Sequence, residues 1–365
     1  MLHRVRFVDA LQSASKKIFF DTNDQMLRVI DAWKVLANDQ DFIQKSVYCN
    51  GTLPTWQGLC NDVHEIDKIL RPYGVIGVDG SQIYPDKHQG VGCFLINIGS
   101  VVLSYGKVGS NVFFDSYPYF FVDAGQEQNC SLVDLVNAKR DVFELEYGYK
   151  KMLEYQKNEY QEPVICMMDG TFIFRHMSQE EHFRNYFLTR SIAQLDLYSQ
   201  KNMMLMGYLS YPRSKELIAL VSLYMQKKGQ VLSDEQLFDA MMLEYILKPG
   251  QRTTVFYHRS SIVSLYPEHL APCFVYCHVG SEIVRIEFPR YEATQEYVDL
   301  LCFVAYDQAQ KGVGYPVSLA EAHEQAVVTH DDRDFFYHMI KQVSIQARKQ
   351  LRVSPKLQKK KVLVV

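Results

Sequence analysis

The sequence predicts an α/β protein with a mixed sheet flanked by helices. Three observations lead there. Short apolar runs of strand length (residues 75–78, 164–168 and 203–209) are separated by segments with apolar residues at helical spacing. A stretch that reads as two adjacent strands, residues 91–105, precedes that alternation, and strand-like segments return after Pro249-Gly250. The chain has 365 residues, 47% hydrophobic and 22% charged, enough for one large or two ordinary domains and unlike a disordered chain.

Residues 1–70 read as a mostly helical segment, with Val5, Val8 and Leu11, then Met26, Val29, Ile30 and Trp33, near helical spacing. From Pro72 the character changes. Val75-Ile76-Gly77-Val78 is a buried strand with Asp79-Gly80-Ser81-Gln82 at its end, and the two strands of 91–105 are expected to turn at Gly99-Ser100. Leu135, Ala138, Val142, Leu145, Tyr149 and Met152 mark a helix over 132–160. Val164–Met168 is an apolar strand capped by Asp169-Gly170-Thr171. Ser178-Gln179-Glu180-Glu181 reads as a capping box opening a helix that runs to Gln200. Residues 203–209 form a strand, and Ser214 begins another helix. Strands are expected over 253–257, 274–279 and 282–288, then a helix over 295–310. Ser318-Leu319-Ala320-Glu321 is a second capping box, starting the helix that carries His323.

The chemistry gathers at the two Asp-Gly-[Ser/Thr] sites, Asp79 and Asp169. In α/β sheets ligands collect beyond the carboxyl ends of strands, and glycine lets the backbone approach them. If the two strands are neighbours, both carboxylates face one crevice and repel unless a divalent cation lies between them. The plain alternative is a pair of turns. On the intervening helix Arg140, Glu144 and Gly148 share a face. Glu144 is either a ligand or half of a surface ion pair with Arg140, and Glu146 competes for the ligand role. Tyr315 in Gly312-Val313-Gly314-Tyr315-Pro316 precedes His323 by eight residues. A lone histidine is more often packed or superficial, but its imidazole suits a Mn²⁺ site otherwise made of carboxylates. These residues point to metal-dependent phosphodiester hydrolysis. An actin-like phosphotransferase or ATPase is the rival, disfavoured because its loops carry a residue between Asp and Gly.

Five segments in order resemble the NurA nucleases: Val78–Gln82, Met168–Thr171, Gly207–Ser214, Arg285–Pro289 and Gly312–His323. The resemblance spans about residues 72–330 and implies an RNase H-like core with a Mn²⁺ centre, with Mg²⁺ as a substitute and a second ion as an option. It further implies cleavage of single- and double-stranded DNA, 5′ to 3′ and internally in single strands, during double-strand-break end resection and repair. The implied partners are a HerA-type hexameric ATPase and a second copy of the chain. By resemblance Asp79, Glu144, Asp169 and His323 are the metal ligands, and Tyr315 orients a phosphate or the attacking water. Ser210, Arg213 and Ser214 are candidate DNA contacts, Ser214 being equally a helix N-cap. Arg285 and Glu287 read as a structural pair. A non-catalytic NurA-like module that binds DNA or an ATPase is the alternative within the family.

The domain reading is therefore 1–70, a nuclease domain over 71–345 and a basic tail over 346–365. Of 39 basic residues seven lie from Arg348 onward, leaving 32 against 42 acidic ones, so the body is acidic and any DNA contact is local. The tail either grips the DNA backbone or is solvated. No stretch approaches the ~18 apolar residues of a membrane helix. The first residues lack an apolar signal core, and the eight cysteines form no CxxC pair, so a reduced cytoplasm is the expected setting.

Overall fold

The structure, a computed structural model, describes residues 2–18, 23–47, 50–67, 71–86, 88–89, 92–106, 109–122, 131–157, 162–177, 180–232 and 236–348. The elements in order begin with α1 (Arg4–Ile18), α2 (Asn23–Leu36), α3 (Gln40–Phe42), β1 (Thr55–Trp56), β2 (Val63–Glu65), β3 (Tyr73–Ile83), β4 (Cys93–Gly106) and β5 (Gly109–Val122). Next come α4 (Leu132–Lys157), β6 (Val164–Asp169), α5 (Glu181–Phe183), α6 (Thr189–Gln200), β7 (Met204–Leu209), α7 (Glu216–Lys227) and α8 (Asp239–Leu243). The chain continues with β8 (Gln251–Thr253), β9 (Phe256–Tyr257), β10 (Pro272–His278), β11 (Ile283–Pro289), α9 (Gln295–Lys311), α10 (Val317–Ala326) and α11 (His330–Gln346). One mixed sheet runs β1-β9-β10-β11-β7-β6-β3-β4-β5, with β8 beside β10 and β2 beside β8. β3, β6 and β7 are parallel to one another and every other pairing is antiparallel. The mixed α/β architecture is the one the sequence predicts.

Alternation along the strands divides the core. Ile76 and Val78 of β3 and Cys166 and Met168 of β6 pack against α4. Val75 of β3 and Ile165 and Met167 of β6 face the opposite way, with α9 and α10. The helical period on α4 holds, with Leu135, Ala138, Val142, Leu145 and Met152 buried. Each fully buried aliphatic side chain of this kind adds roughly 1.5–3 kcal/mol. A third cluster joins α2, α7 and α8 to β10, through Trp33, Leu217, Met242 and Phe274. The short strands β1 and β2 tie residues before 70 into the same sheet through β9 and β8.

Several local expectations differ from what is observed. Residues 93–106 form one strand, without a turn at Gly99-Ser100, because β5 pairs along its whole length and β3 along Leu95–Tyr105. Gly99 is there for packing: a Cβ on it would lie 2.5 Å from the Ala322 carbonyl oxygen of α10. β3 does not stop at Asp79 but continues to Ile83 against β4, and only its pairing with β6 ends at Val78. β5 and α11 lie outside the expected elements; Thr329 and Asp332 form the capping box that opens α11. β5 is an edge strand, which accommodates Pro118.

The expected caps also move. Ser178 lies outside the described residues, and Glu180 precedes the helix without a side-chain cap. Pro316 precedes α10 while Ser318 is buried, its N–H given to Gln308 Oε1 at 3.1 Å. Ser214 does not cap α7. Asp239 Oδ1 accepts from the N–H groups of Leu217 (3.0 Å) and Ile218 (2.9 Å) instead, an interaction from a distant segment. Residues 349–365 of the expected basic tail lie outside the described residues. No helix among the described residues is long and apolar enough to cross a membrane.

The seat of α10 on β4 gives a stability test. Gly99→Ala is expected to destabilise the chain by about 1–3 kcal/mol through overpacking, read as a lower urea midpoint. An unchanged midpoint would show that α10 is free to shift.

Candidate active site

The register of two strands builds the site. Val78 pairs with Met168 at the last step of the parallel β3–β6 ladder, so Asp79 and Asp169 follow side by side. Both share parity with the residues that face α9 and α10. Two elements on that face meet them. His323 on α10 places Nδ1 2.7 Å from Asp79 Oδ2, a distance at which the ring N–H donates to the carboxylate. Tyr315, in the loop before α10, donates its hydroxyl to Asp169 Oδ2 at 2.9 Å and meets Tyr208 edge-on at 5.8 Å.

Glu144 comes from the other face, on α4, and lies against the backbone of β3. A Cβ on Gly80 would stand 2.6 Å from Glu144 Oε1, so a residue without one is needed there. Arg140, one helical turn earlier, lies 3.2 Å from the same oxygen through Nε and 3.3 Å from Gln82 Oε1 through Nη1. The anticipated ion pair therefore exists, but it is drawn in over Gly80 rather than left on the surface. Glu146 accepts from Arg190 (2.7 Å to Nε) and is engaged away from the aspartates. A cavity of about 480 Å³ opens beside Glu144 and Asp169, lined also by Arg140, Asp141, Thr171 and His176. Its Asp141–His176 pair, at 3.1 Å, carried no signal in the sequence because the partners lie on separate elements.

The electrostatics follow from this crowding. Burial, then the charge of Asp141, holds the Glu144 carboxyl well above the usual glutamate value, with Arg140 opposing and Asp79 and Asp169 adding to the rise. Asp169 is raised as well, first by burial, with the Tyr315 hydrogen bond opposing and Asp79 repelling. Burial and the Asp169 charge push the Tyr315 phenol up, so it remains a protonated donor.

All five expected residues are thus brought to one end of the β3–β6 pair. Ser210, at the end of neighbouring β7, donates to Glu282 Oε1 at 2.7 Å, and the Tyr211 N–H bonds the other oxygen at 2.8 Å. Arg213 is exposed. The Asp239 N–H donates to the Ser214 carbonyl at 2.9 Å. The expected pair of Arg285 and Glu287 is present at 2.8 Å, both buried. Glu282 went unseen in the sequence, 72 residues from Ser210.

Among the described residues no three His, Cys, Asp or Glu side chains already converge as a metal cluster. Asp79 and Asp169 are held by His323 and Tyr315, and Glu144 by Arg140. The donor set nonetheless fits a hard divalent cation. It offers carboxylate oxygens and one imidazole, and beyond the burial that chiefly raises Glu144 and Asp169, the charge of Asp79 repels both.

A mixed sheet with acid side chains from two parallel strands, faced by a helix that adds a third, defines an α/β protein with an acidic centre where its central parallel pairing ends. A family model described as the NurA domain matches residues 73–328, and the chain belongs to the NurA family. Its fold is similar to a solved structure of NurA, 12% identical with a TM-score of 0.44, covering 91% of this chain and 97% of that one. It is also similar to NurA bound to dAMP and manganese (12% identity, TM-score 0.39, 92% and 96% covered). A type 1 RNase H1 is a further similar structure (11% identity, TM-score 0.23, 50% and 84% covered). No curated protein matches the sequence.

A pH test follows from the raised carboxyls. A folded-state value above the unfolded one favours the protonated acid. That contribution to stability is full below the unfolded value and is lost as pH rises through the folded one. Glu144→Gln, which imitates the neutral acid, is expected to stabilise the chain in EDTA at about pH 7.5 and to be near neutral at about pH 4, below the ordinary glutamate range. Equal destabilisation at both pH values in urea unfolding would refute it.

Proposed function

We propose that this chain is a divalent-metal-dependent DNA nuclease. The observation that carries the reading is the pair Asp79 and Asp169, adjacent at the end of the β3–β6 ladder in a chain of the NurA family. In this reading Asp79, Glu144, Asp169 and His323 hold the metal, Mn²⁺ first and Mg²⁺ as substitute, as one ion or two. A divalent cation bound there would lower the pKa of a coordinated water and neutralise charge on the scissile phosphate.

The chain's own groups then have separate tasks. The Tyr315 hydroxyl, now on Asp169 Oδ2, orients a phosphate oxygen or the attacking water from the α10 side. His323 fixes the rotamer of Asp79 through their hydrogen bond. Arg140 lines the cavity beside Glu144 and offers positive charge to a nucleotide phosphate. Ser210, Arg213 and Ser214, after β7 on the same sheet edge, contact the strand being cut. With an acidic body the DNA is gripped locally, and Lys and Arg after residue 348 add salt-sensitive contacts to the backbone.

The finer reading is a 5′-to-3′ exonuclease that also cuts single strands internally, acting in the cytoplasm in double-strand-break end resection and repair. It works as a homodimer with a HerA-type hexameric ATPase, residues 71–345 forming the nuclease domain. Family membership supports these assignments.

The test is degradation of end-labelled single- and double-stranded DNA with Mn²⁺, Mg²⁺ or EDTA. Mn²⁺-dependent cleavage is expected, and Asp79→Asn or Asp169→Asn should each cost about 1,000-fold in rate, the equivalent of several kcal/mol of lost charge stabilisation. No cleavage in any metal, with a HerA-type ATPase present, would leave a non-catalytic binding module.

A further inference from the structure

The turn that follows Asp169 is held by a charge buried two strands away. Gly170, with a φ of 141° that favours glycine, gives its N–H to the Tyr208 carbonyl at 3.1 Å. Thr171 Oγ1 donates to Glu287 Oε2 at 2.6 Å, and the Phe172 N–H donates to the same oxygen at 3.0 Å. The Thr171 hydroxyl also accepts from the Ile173 N–H at 3.0 Å, so one side chain closes the turn and ties it to β11. Glu287 is 1% exposed and so is Arg285. Arg285 Nε bonds Glu287 Oε1 at 2.8 Å, its Nη1 lies 3.1 Å from Glu216 Oε2, and its guanidinium sits 3.8 Å from the Phe274 ring centre. Burying such a chain of charges is a weak route to stability, since apolar side chains of similar volume often serve as well. What apolar groups could not supply is a fixed anionic acceptor aimed at Thr171 and Phe172, the second and third residues after Asp169.

We propose that Glu287 is a positioning residue for Asp169, acting through Thr171, with Arg285 and Glu216 holding Glu287 in place. The inference rests on the nuclease reading above and names a residue that reading does not use. Metal and in-line chemistry demand carboxylate placement within about 0.5 Å. A turn fixed by one charged acceptor has less freedom than a turn solvated by water. Groups of this outer kind commonly govern metal affinity or rate by about 10–100-fold.

Glu287→Gln would strand the Arg285 charge in the core and endanger folding, so the test is made at Thr171, which is exposed. Thr171→Val keeps the shape and removes the hydroxyl, and Thr171→Ser keeps the hydroxyl and removes the methyl. Mn²⁺ affinity by calorimetry, kcat and KM on single-stranded DNA and the thermal midpoint are measured for both. The expected result, read well below the thermal midpoint, is a loss of about 10–100-fold in Mn²⁺ affinity and kcat for Thr171→Val, with KM unchanged, a midpoint lowered by the lost bond to a buried carboxylate, and Thr171→Ser close to wild type in every readout. Wild-type affinity and kcat in Thr171→Val, or an equal fall in Thr171→Ser, would overturn the proposal. If the wild-type chain binds Mn²⁺ but cuts no DNA, the nuclease reading alone fails, and the two calorimetric titrations still decide the role of Glu287.

Discussion

Parallel pairing of β3 with β6 is the constraint on which the rest of this molecule depends. Its final step, Val78 opposite Met168, sets two aspartates next to each other on one face of the sheet. Like charges at that spacing oppose folding unless neighbours compensate. The surroundings answer with donors: His323 to Asp79, Tyr315 to Asp169, and Arg140 beside Glu144. Even so, burial first and the neighbouring carboxylates second keep Asp169 and Glu144 above their ordinary values. A site that holds charge at some cost to stability is the kind proteins keep for function.

The donors arrive through packing rather than through local sequence. α10 can bring His323 over Asp79 only because it sits directly on the backbone of β4 at Gly99. Glu144 reaches the same edge from the opposite layer because Gly80 leaves room for its carboxylate. The sheet thus acts as a thin partition. A single strand, β3, presents Asp79 to one layer and Gly80 to the other, as alternation along a strand requires.

A second tier of buried charge supports this edge. Asp239 takes the orphan N–H groups at the start of α7, and the Tyr276 hydroxyl donates to its other oxygen at 2.8 Å. Glu282 ties Ser210 and Tyr211 at the end of β7, and Glu287 ties the turn after β6. Glu282 and Glu287 accept from backbone and hydroxyl donors where the parallel strands β7 and β6 give out, and Asp239 does the same at the start of a helix. Backbone groups leaving a sheet need partners, and at a buried edge water cannot provide them.

Much of this could be read from the chain itself. Apolar runs marked β3, β6, β7, β10 and β11, and helical spacing marked α4 and α9, because period and burial are local properties of sequence. The two Asp-Gly steps, the Tyr315–His323 interval and the Arg140–Glu144 spacing were visible for the same reason. Other features were not. The continuation of β3 past Asp79, the unbroken β4, the replacement of Ser214 by Asp239 as the cap of α7 and the engagement of Glu146 by Arg190 all depend on partners distant in sequence. The sequence by itself determined which residues carry charge, which can be buried and where strands can begin. Only the tertiary structure decided which strands became neighbours, and therefore which carboxylates meet, because strand register and layer packing are set by contacts that no local pattern encodes.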